Sequence, residues 1–104
     1  MPTKQDHKRW RKQFNYECLT RDNFKCVFCN VTENLDVHHI TDRHELPNGG
    51  YVLSNGITLY PEHHLKCEQY HIKGECEEIF TPNALYIKIN STFDAAFNDS
   101  LNLI

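Results

Sequence analysis

The sequence contains no long hydrophobic run. None of its apolar segments approaches the roughly 18 residues that a membrane helix needs, and the charged N-terminal segment MPTKQDHKRW is not followed by the apolar stretch of a secretory signal. We therefore expect a soluble, cytoplasmic protein without a membrane partner.

Apolar residues are also scarce. They make up 39% of the 104 residues, below the usual globular share, and charged residues make up 24%. A chain of this length forms one domain with a modest core, and no repeat, low-complexity tract or linker divides it. We therefore expect residues 1–104 to form a single domain that needs stabilisation beyond the burial of apolar side chains.

A disulfide framework is not expected, because the five cysteines are odd in number and lack a secretory context. Reduced cysteines among seven histidines indicate metal binding instead. The pair Cys26-x-x-Cys29 can present two thiolates to one tetrahedral zinc ion. Two buried free cysteines, or a redox pair, are the alternatives.

Basic charge does not dominate the chain, since 11 Lys and Arg face 14 Asp and Glu for a net charge of −3. The first 30 residues nevertheless contain seven of the basic residues. This segment could contact a polyanion, and the alternative is an ordinary solvated helix face. The seven residues are Lys4, Lys8, Arg9, Arg11, Lys12, Arg21 and Lys25.

The first apolar pattern has the period of a helix. Trp10, Phe14 and Cys18 recur at i, i+4 and i+8, which predicts a helix within residues 6–21 whose apolar stripe faces the core.

The middle of the chain predicts two strands followed by a helix. Residues 35–40 alternate in polarity and favour a strand, whereas residues 41–54 contain the Pro and Gly residues of a loop. Residues 57–60 favour a second strand. Pro61 suits the first position of a helix that ends near Ile72.

A short C-terminal helix is predicted after Thr81, which can cap it, with Pro82 at its first position. Its buried side is expected to consist of Leu85, Ile89, Phe93 and Phe97.

The predicted helix at Pro61 offers further metal ligands. His63 and Cys67 are four residues apart and therefore share one face of the helix. With the two cysteines of the Cys-x-x-Cys pair they would complete a Cys-Cys-His-Cys zinc site. The fourth ligand remains open between Cys67, His71 and Cys76.

His64 and Glu68 form a second pair at i and i+4, rotated by about 100° around the same helix. This face could hold a separate ion. The alternative for Glu68 is an ordinary solvated carboxylate.

Taken in order, these motifs resemble the HNH nuclease family over about residues 20–72. The order and spacing together make the resemblance more specific than any single motif. The His, Asn and His that name the family would be His39, Asn55 and His64. The motifs are Cys26-x-x-Cys29, Val37-His38-His39-Ile40, Gly49-Gly50, Ser54-Asn55-Gly56-Ile57-Thr58-Leu59 and Glu62-His63-His64-x-Lys66.

The resemblance implies a small α+β fold with a ββα-metal (His-Me finger) core, here with an N-terminal helix, a zinc knuckle and a short helical extension over about residues 75–104. It implies a metal-dependent endonuclease that hydrolyses DNA phosphodiester bonds, with double-stranded DNA as the partner. Small proteins of this kind are typical of phages and mobile elements.

The resemblance also implies residue roles. His39 would be the general base that activates water, and Asn55 would hold the loop and orient that base or touch the metal. His38, His64 and Glu68 would hold one catalytic divalent ion, Mg, Mn, Ni or Zn. A structural zinc would use the cysteine sites described above.

Two features depart from the expected pattern. Tyr60 stands where many members with a zinc knuckle have a further cysteine, so that Cys67 is the nearest compensation. Neighbouring residues of a regular strand point to opposite faces, so that a bend or bulge is predicted at His38-His39. His44, in the following loop, is expected to be exposed.

The alternative is a non-catalytic module, stabilised by a structural zinc ion, that binds protein or nucleic acid. Such a module would need neither His39 nor Asn55, whereas a nuclease needs both. Their presence at the family spacing favours the nuclease.

Overall fold

The computed structural model describes residues 2–104 and has an α+β architecture of four α-helices and one two-stranded antiparallel sheet. Through the second helix, the order helix, strand, loop, strand, helix is the predicted one. No helix within residues 2–104 has both the length and the apolar character needed to cross a membrane. The elements are α1 (Lys4–Arg21), β1 (Asp36–His39), β2 (Gly56–Leu59), α2 (Pro61–Lys73), α3 (Pro82–Lys88) and α4 (Phe93–Leu101).

Helix α1 covers one face of the sheet. Its predicted stripe, Trp10, Phe14 and Cys18, is buried. The helix approaches β2 so closely at Gly56 that a Cβ atom there would lie 2.5 Å from Phe14 Cε1. Glycine at this position therefore allows α1 to lie against the sheet opposite His39, the residue paired with Gly56.

The sheet is regular across the two histidines. The register pairs His38 with Ile57 and His39 with Gly56 in an unbroken antiparallel ladder. The bend or bulge predicted there is therefore wrong. Because alternate residues of a strand face opposite sides, His38 points toward α2 and His39 points toward α1.

The C-terminal segment contains two helices where one was predicted. Thr81 accepts a hydrogen bond from the Ala84 backbone and caps α3 as expected, and Leu85 is buried. The chain then leaves the helix, and Thr92 caps the separate helix α4 by accepting from the Ala95 backbone.

This break changes which residues of α4 face inward. Phe93 and Phe97 are 47% and 37% exposed, so their predicted burial is wrong. Ala96 and Ser100, which are four residues apart on α4, are buried instead.

The C-terminal segment is tied to the rest of the protein by specific hydrogen bonds. Ser54, in the loop between the strands, donates to Asp99 over 2.6 Å, and Ser91 donates to the Ser54 carbonyl over 2.8 Å. Trp10 of α1 donates to the Ile104 carbonyl over 3.0 Å. The segment therefore packs against both α1 and the interstrand loop.

Candidate metal centres and active site

One candidate metal centre lies between the Cys-x-x-Cys turn and the first turn of α2. Cys26, Cys29 and His63 each present one ligand atom, and the three atoms lie within 4.8 Å of one another. The distance from Cys26 Sγ to His63 Nδ1 is 3.6 Å, and Phe28 stacks on the His63 ring. Two sulfurs and one imidazole nitrogen are donors that zinc prefers.

The thiol chemistry of this centre also fits a cation. Burial would raise the pKa of Cys26, but the backbone N–H groups of Tyr60, Phe28 and Cys29 outweigh it and lower that pKa. The backbone hydrogen bond with Val31 lowers the pKa of Cys29. Burial and the neighbouring Cys26 raise it by more, so that the net effect is a raised pKa. A divalent cation would remove the repulsion between the two thiolates.

The three residues considered as the fourth ligand lie outside this group. Cys67 is 1% exposed within the hydrophobic core, and burial raises its pKa to about 12. Cys76 lies at the edge of the core and donates to the Glu77 carbonyl. His71 faces β1, where its Nε2 donates to the His39 carbonyl over 3.0 Å. Among the residues that the structure describes, this centre therefore consists of three donors, Cys26, Cys29 and His63.

A second candidate centre lies where α2 crosses β1. Ligand atoms of His38, His64 and Glu68 lie within 4.8 Å of one another. Glu68 Oε2 is 3.4 Å from His38 Nδ1 and 3.4 Å from His64 Nε2. Adjacent residues of one helix, His63 and His64, therefore belong to different groups, in agreement with the 100° rotation between them.

The residues of the second centre have protonation states that suit a divalent cation. Burial lowers the pKa of His38, which keeps its imidazole neutral near pH 7. The hydrogen bond with His38 lowers the pKa of Glu68 to about 2 and keeps it a carboxylate. His38 is buried, whereas His64 and Glu68 border an open pocket of about 310 Å³. An ion held here would keep coordination positions open to a substrate.

His39 does not share the face of the second centre. Its ring lies between Phe14 and Tyr51 on the α1 side of the sheet, with ring centroids 4.6 and 5.0 Å away. Its Nε2 atom is buried and has no hydrogen-bond partner. Burial lowers the pKa of His39 to about 4, so that the imidazole is neutral at pH 7.

A pocket of about 410 Å³ opens beside His39. Arg11 of α1 and Arg43 of the loop line it, and both interact with the Tyr51 hydroxyl and lower its pKa against the opposing effect of burial. Two guanidinium groups next to a neutral imidazole suit an anionic ligand such as a phosphodiester. Asp36 lines both this pocket and the pocket of the second metal centre.

Asn55 holds the interstrand loop and does not belong to either metal group. It is fully buried. Its Oδ1 accepts from the Thr41 backbone over 2.9 Å and from the Tyr86 hydroxyl over 2.7 Å, and its Nδ2 donates to the carbonyls of Thr41 and Gly50. One side chain thus joins the end of β1, the loop and α3.

Replacing Asn55 should therefore act mainly on stability. Asn55→Ala leaves the buried Thr41 N–H and C=O without a partner, each worth roughly 1–3 kcal/mol, whereas Tyr86 and Gly50 keep their hydrogen bonds with Thr41 and Val52. We expect the free energy of unfolding to fall by about 3 kcal/mol or more in denaturant titrations. Asn55→Asp keeps the acceptor but turns a carboxylate oxygen toward the carbonyls of Thr41 and Gly50, so that it should lose at least as much. Asn98→Ala, an exposed position on α4, is the control and should change little.

Several residues near these sites were missed or misassigned from sequence. Asp36 precedes His38 by two residues, so strand alternation could have placed both on one face. Its carboxylate is 3.5 Å from His64 Nδ1. His71 follows His64 by seven residues, a helical spacing that places it on the His64 face. Nothing in the sequence indicates the contacts of Tyr51, whereas His44 is exposed as predicted.

Comparisons of the chain with protein-family models, with curated protein sequences and with solved structures found no match.

Proposed function

We propose that the protein is a metal-dependent endonuclease of the HNH type that hydrolyses phosphodiester bonds in double-stranded DNA on a ββα-metal core. The observation that carries the proposal is the convergence of His38, His64 and Glu68 where α2 crosses β1. Such a set of two imidazoles and one carboxylate suits Mn, Ni or Zn better than Mg, which prefers oxygen ligands.

His38 and His39 face opposite sides, so that they could serve one phosphate only across the outer edge of β1, where His71 already occupies the His39 carbonyl. The sheet has two strands, so that β1 pairs with β2 on one side only. A phosphodiester lying over the other edge could reach side chains on both faces. Asp36, which lines the pockets of both faces, marks where they meet.

Different residues would transfer the proton, bind the phosphate and position the loop. His39 accepts a proton from water as the water oxygen bonds to phosphorus and the bond to the 3′ oxygen breaks. Arg11 and Arg43 hold the phosphodiester by charge-assisted hydrogen bonds, and Asn55 positions the loop. A divalent ion bound by the second centre would supply Lewis-acid stabilisation of the phosphate charge.

The first centre would hold a structural zinc through Cys26, Cys29 and His63. Its role would be to join the Cys-x-x-Cys turn to α2, because the core of this domain is modest. The non-catalytic zinc module remains the second candidate, favoured by one observation: His39 lies on the face of the sheet opposite the second metal group.

The nuclease proposal is tested by metal analysis together with plasmid cleavage in Mg, Mn or Ni. We expect cleavage by the wild type and, for His64→Ala, weaker metal binding with partial recovery of cleavage in excess metal. His44→Ala, which replaces an exposed histidine, should cleave like the wild type. Absence of cleavage with every ion would favour the binding module.

DNA binding gives a separate prediction. Lys8, Arg11 and Lys12 are exposed on α1, whereas Arg9 contacts Asp6 and the Ile104 carbonyl. Replacing the three exposed residues by Ala should weaken DNA binding and reduce its salt dependence, because each phosphate contact contributes about 0.9 to the slope of log K against log salt.

The matched control for this prediction replaces three exposed lysines of α2 and α3 and changes the net charge equally. These residues are Lys66, Lys73 and Lys88. The proposed DNA surface would be wrong if the control variant lost as much affinity as the α1 variant in salt titrations.

A further inference from the structure

A further open cavity lies near the second metal centre and is not used by the chemistry above. It measures about 790 Å³ and is bounded by α2, α3 and the start of α4. This volume lies in the range of about 300–1,000 Å³ that is usual for sites of small organic groups.

His71 lies between the cavity and the second metal centre. Its ring centroid is 5.1 Å from that of His38, with the two rings tilted by 32°, and its Nε2 donates to the His39 carbonyl. Thr41 and Tyr86, which also line the cavity, are hydrogen-bonded to each other and to Asn55. A group in this cavity would therefore lie against the same loop and strand that position the reacting phosphate.

The lining indicates what that group is. It contains no lysine or arginine, and Glu45 contributes a negative charge, so that the cavity does not suit a phosphate. Tyr70 and Phe93 contribute aromatic surface that is 36% and 47% exposed, and Asn83 contributes an amide. A neutral, planar ring with hydrogen-bonding edges matches this combination.

We propose that this cavity takes an unpaired nucleobase of the DNA substrate, so that the enzyme acts beside a bulged or extruded nucleotide. The proposal rests on the nuclease function, because it is the proposed phosphodiester site that places DNA here. The bases of an intact duplex are stacked and paired, so that only an unpaired base can enter without an additional unstacking cost. Stacking on aromatic side chains is the usual means by which proteins hold such bases.

The test compares two duplexes of one sequence, one fully paired and one with a single bulged 2-aminopurine. Binding to the zinc-containing full chain is measured without added catalytic metal, by titration and by 2-aminopurine fluorescence. We expect about tenfold tighter binding of the bulged duplex and quenching of the bulged base on binding. The double variant Tyr70→Ala, Phe93→Ala should lose both effects.

Control variants keep the result specific to the cavity. Tyr16→Ala and Phe24→Ala remove exposed aromatic residues of α1 and of the turn after it that do not line the cavity. Both should retain the preference for the bulge, and circular dichroism checks that every variant is folded.

Three results would overturn the inference: equal affinity of the wild type for both duplexes, no binding of either, or a preference that persists in the double variant. The two proposals can fail separately. Cleavage without a bulge preference contradicts the base site alone, whereas a bulge preference without cleavage in any divalent ion contradicts the nuclease alone.

Discussion

Cleavage by His39→Ala should fall by roughly 10²–10⁴-fold, the usual contribution of a general base. The affinity for metal should stay nearly unchanged, because the His39 ring lies on the α1 face and the grouped donors lie on the α2 face. DNA affinity should also persist, since Arg11 and Arg43 remain. Excess metal should not restore the rate, in contrast to His64→Ala. Single-turnover cleavage and metal titration measure these quantities separately.

Packing complicates this test, because the His39 ring fills space between Phe14 and Tyr51. Val37→Ala is the matched control, since Val37 lies two residues earlier on the same face of β1 and packs against the same cluster. It should lower the melting temperature while leaving most of the cleavage rate. If His39→Ala cleaved like the wild type, the proposed mechanism would be wrong.

Removing the zinc should unfold the domain. Binding of a structural zinc contributes folding free energy directly, and the loss should exceed about 5 kcal/mol, comparable with the whole stability of a small domain. We expect one zinc per chain to survive desalting, and chelator titration followed by circular dichroism should show loss of metal and helix together. Cys26→Ser should produce the same loss without chelator.

Other cysteines supply the controls for the zinc prediction. Cys67→Ser places a hydroxyl in the core and should lower the melting temperature more than Cys76→Ser. If Cys67→Ser still binds one zinc per chain, the site consists of the three grouped donors. If this variant binds no zinc, Cys67 is the fourth ligand. A metal-free wild type that stayed folded with an unchanged melting temperature would contradict the structural role.

The elements that the sequence determined are those in which neighbours along the chain decide the outcome. The stripe of Trp10, Phe14 and Cys18 predicted the buried face of α1, since helical period alone decides which side chains share a face. The separation of His63 from His64 around α2 follows from the same geometry. Caps such as Thr81 and Pro82 depend on local hydrogen bonding and were also recognisable.

Tertiary structure decided what depends on contacts between distant segments. The regular pairing of His39 with Gly56 placed His39 against α1, which strand alternation could not choose without knowing which helix covers which face. Cys67 is buried in the same core cluster as Cys26 but lies outside the group of Cys26, Cys29 and His63, and this placement depends on how α2 packs. Phe93 and Phe97 are exposed and not buried as predicted, because they belong to a separate helix that begins after the Thr92 cap. Periodicity identifies a shared face, but only packing determines what that face meets.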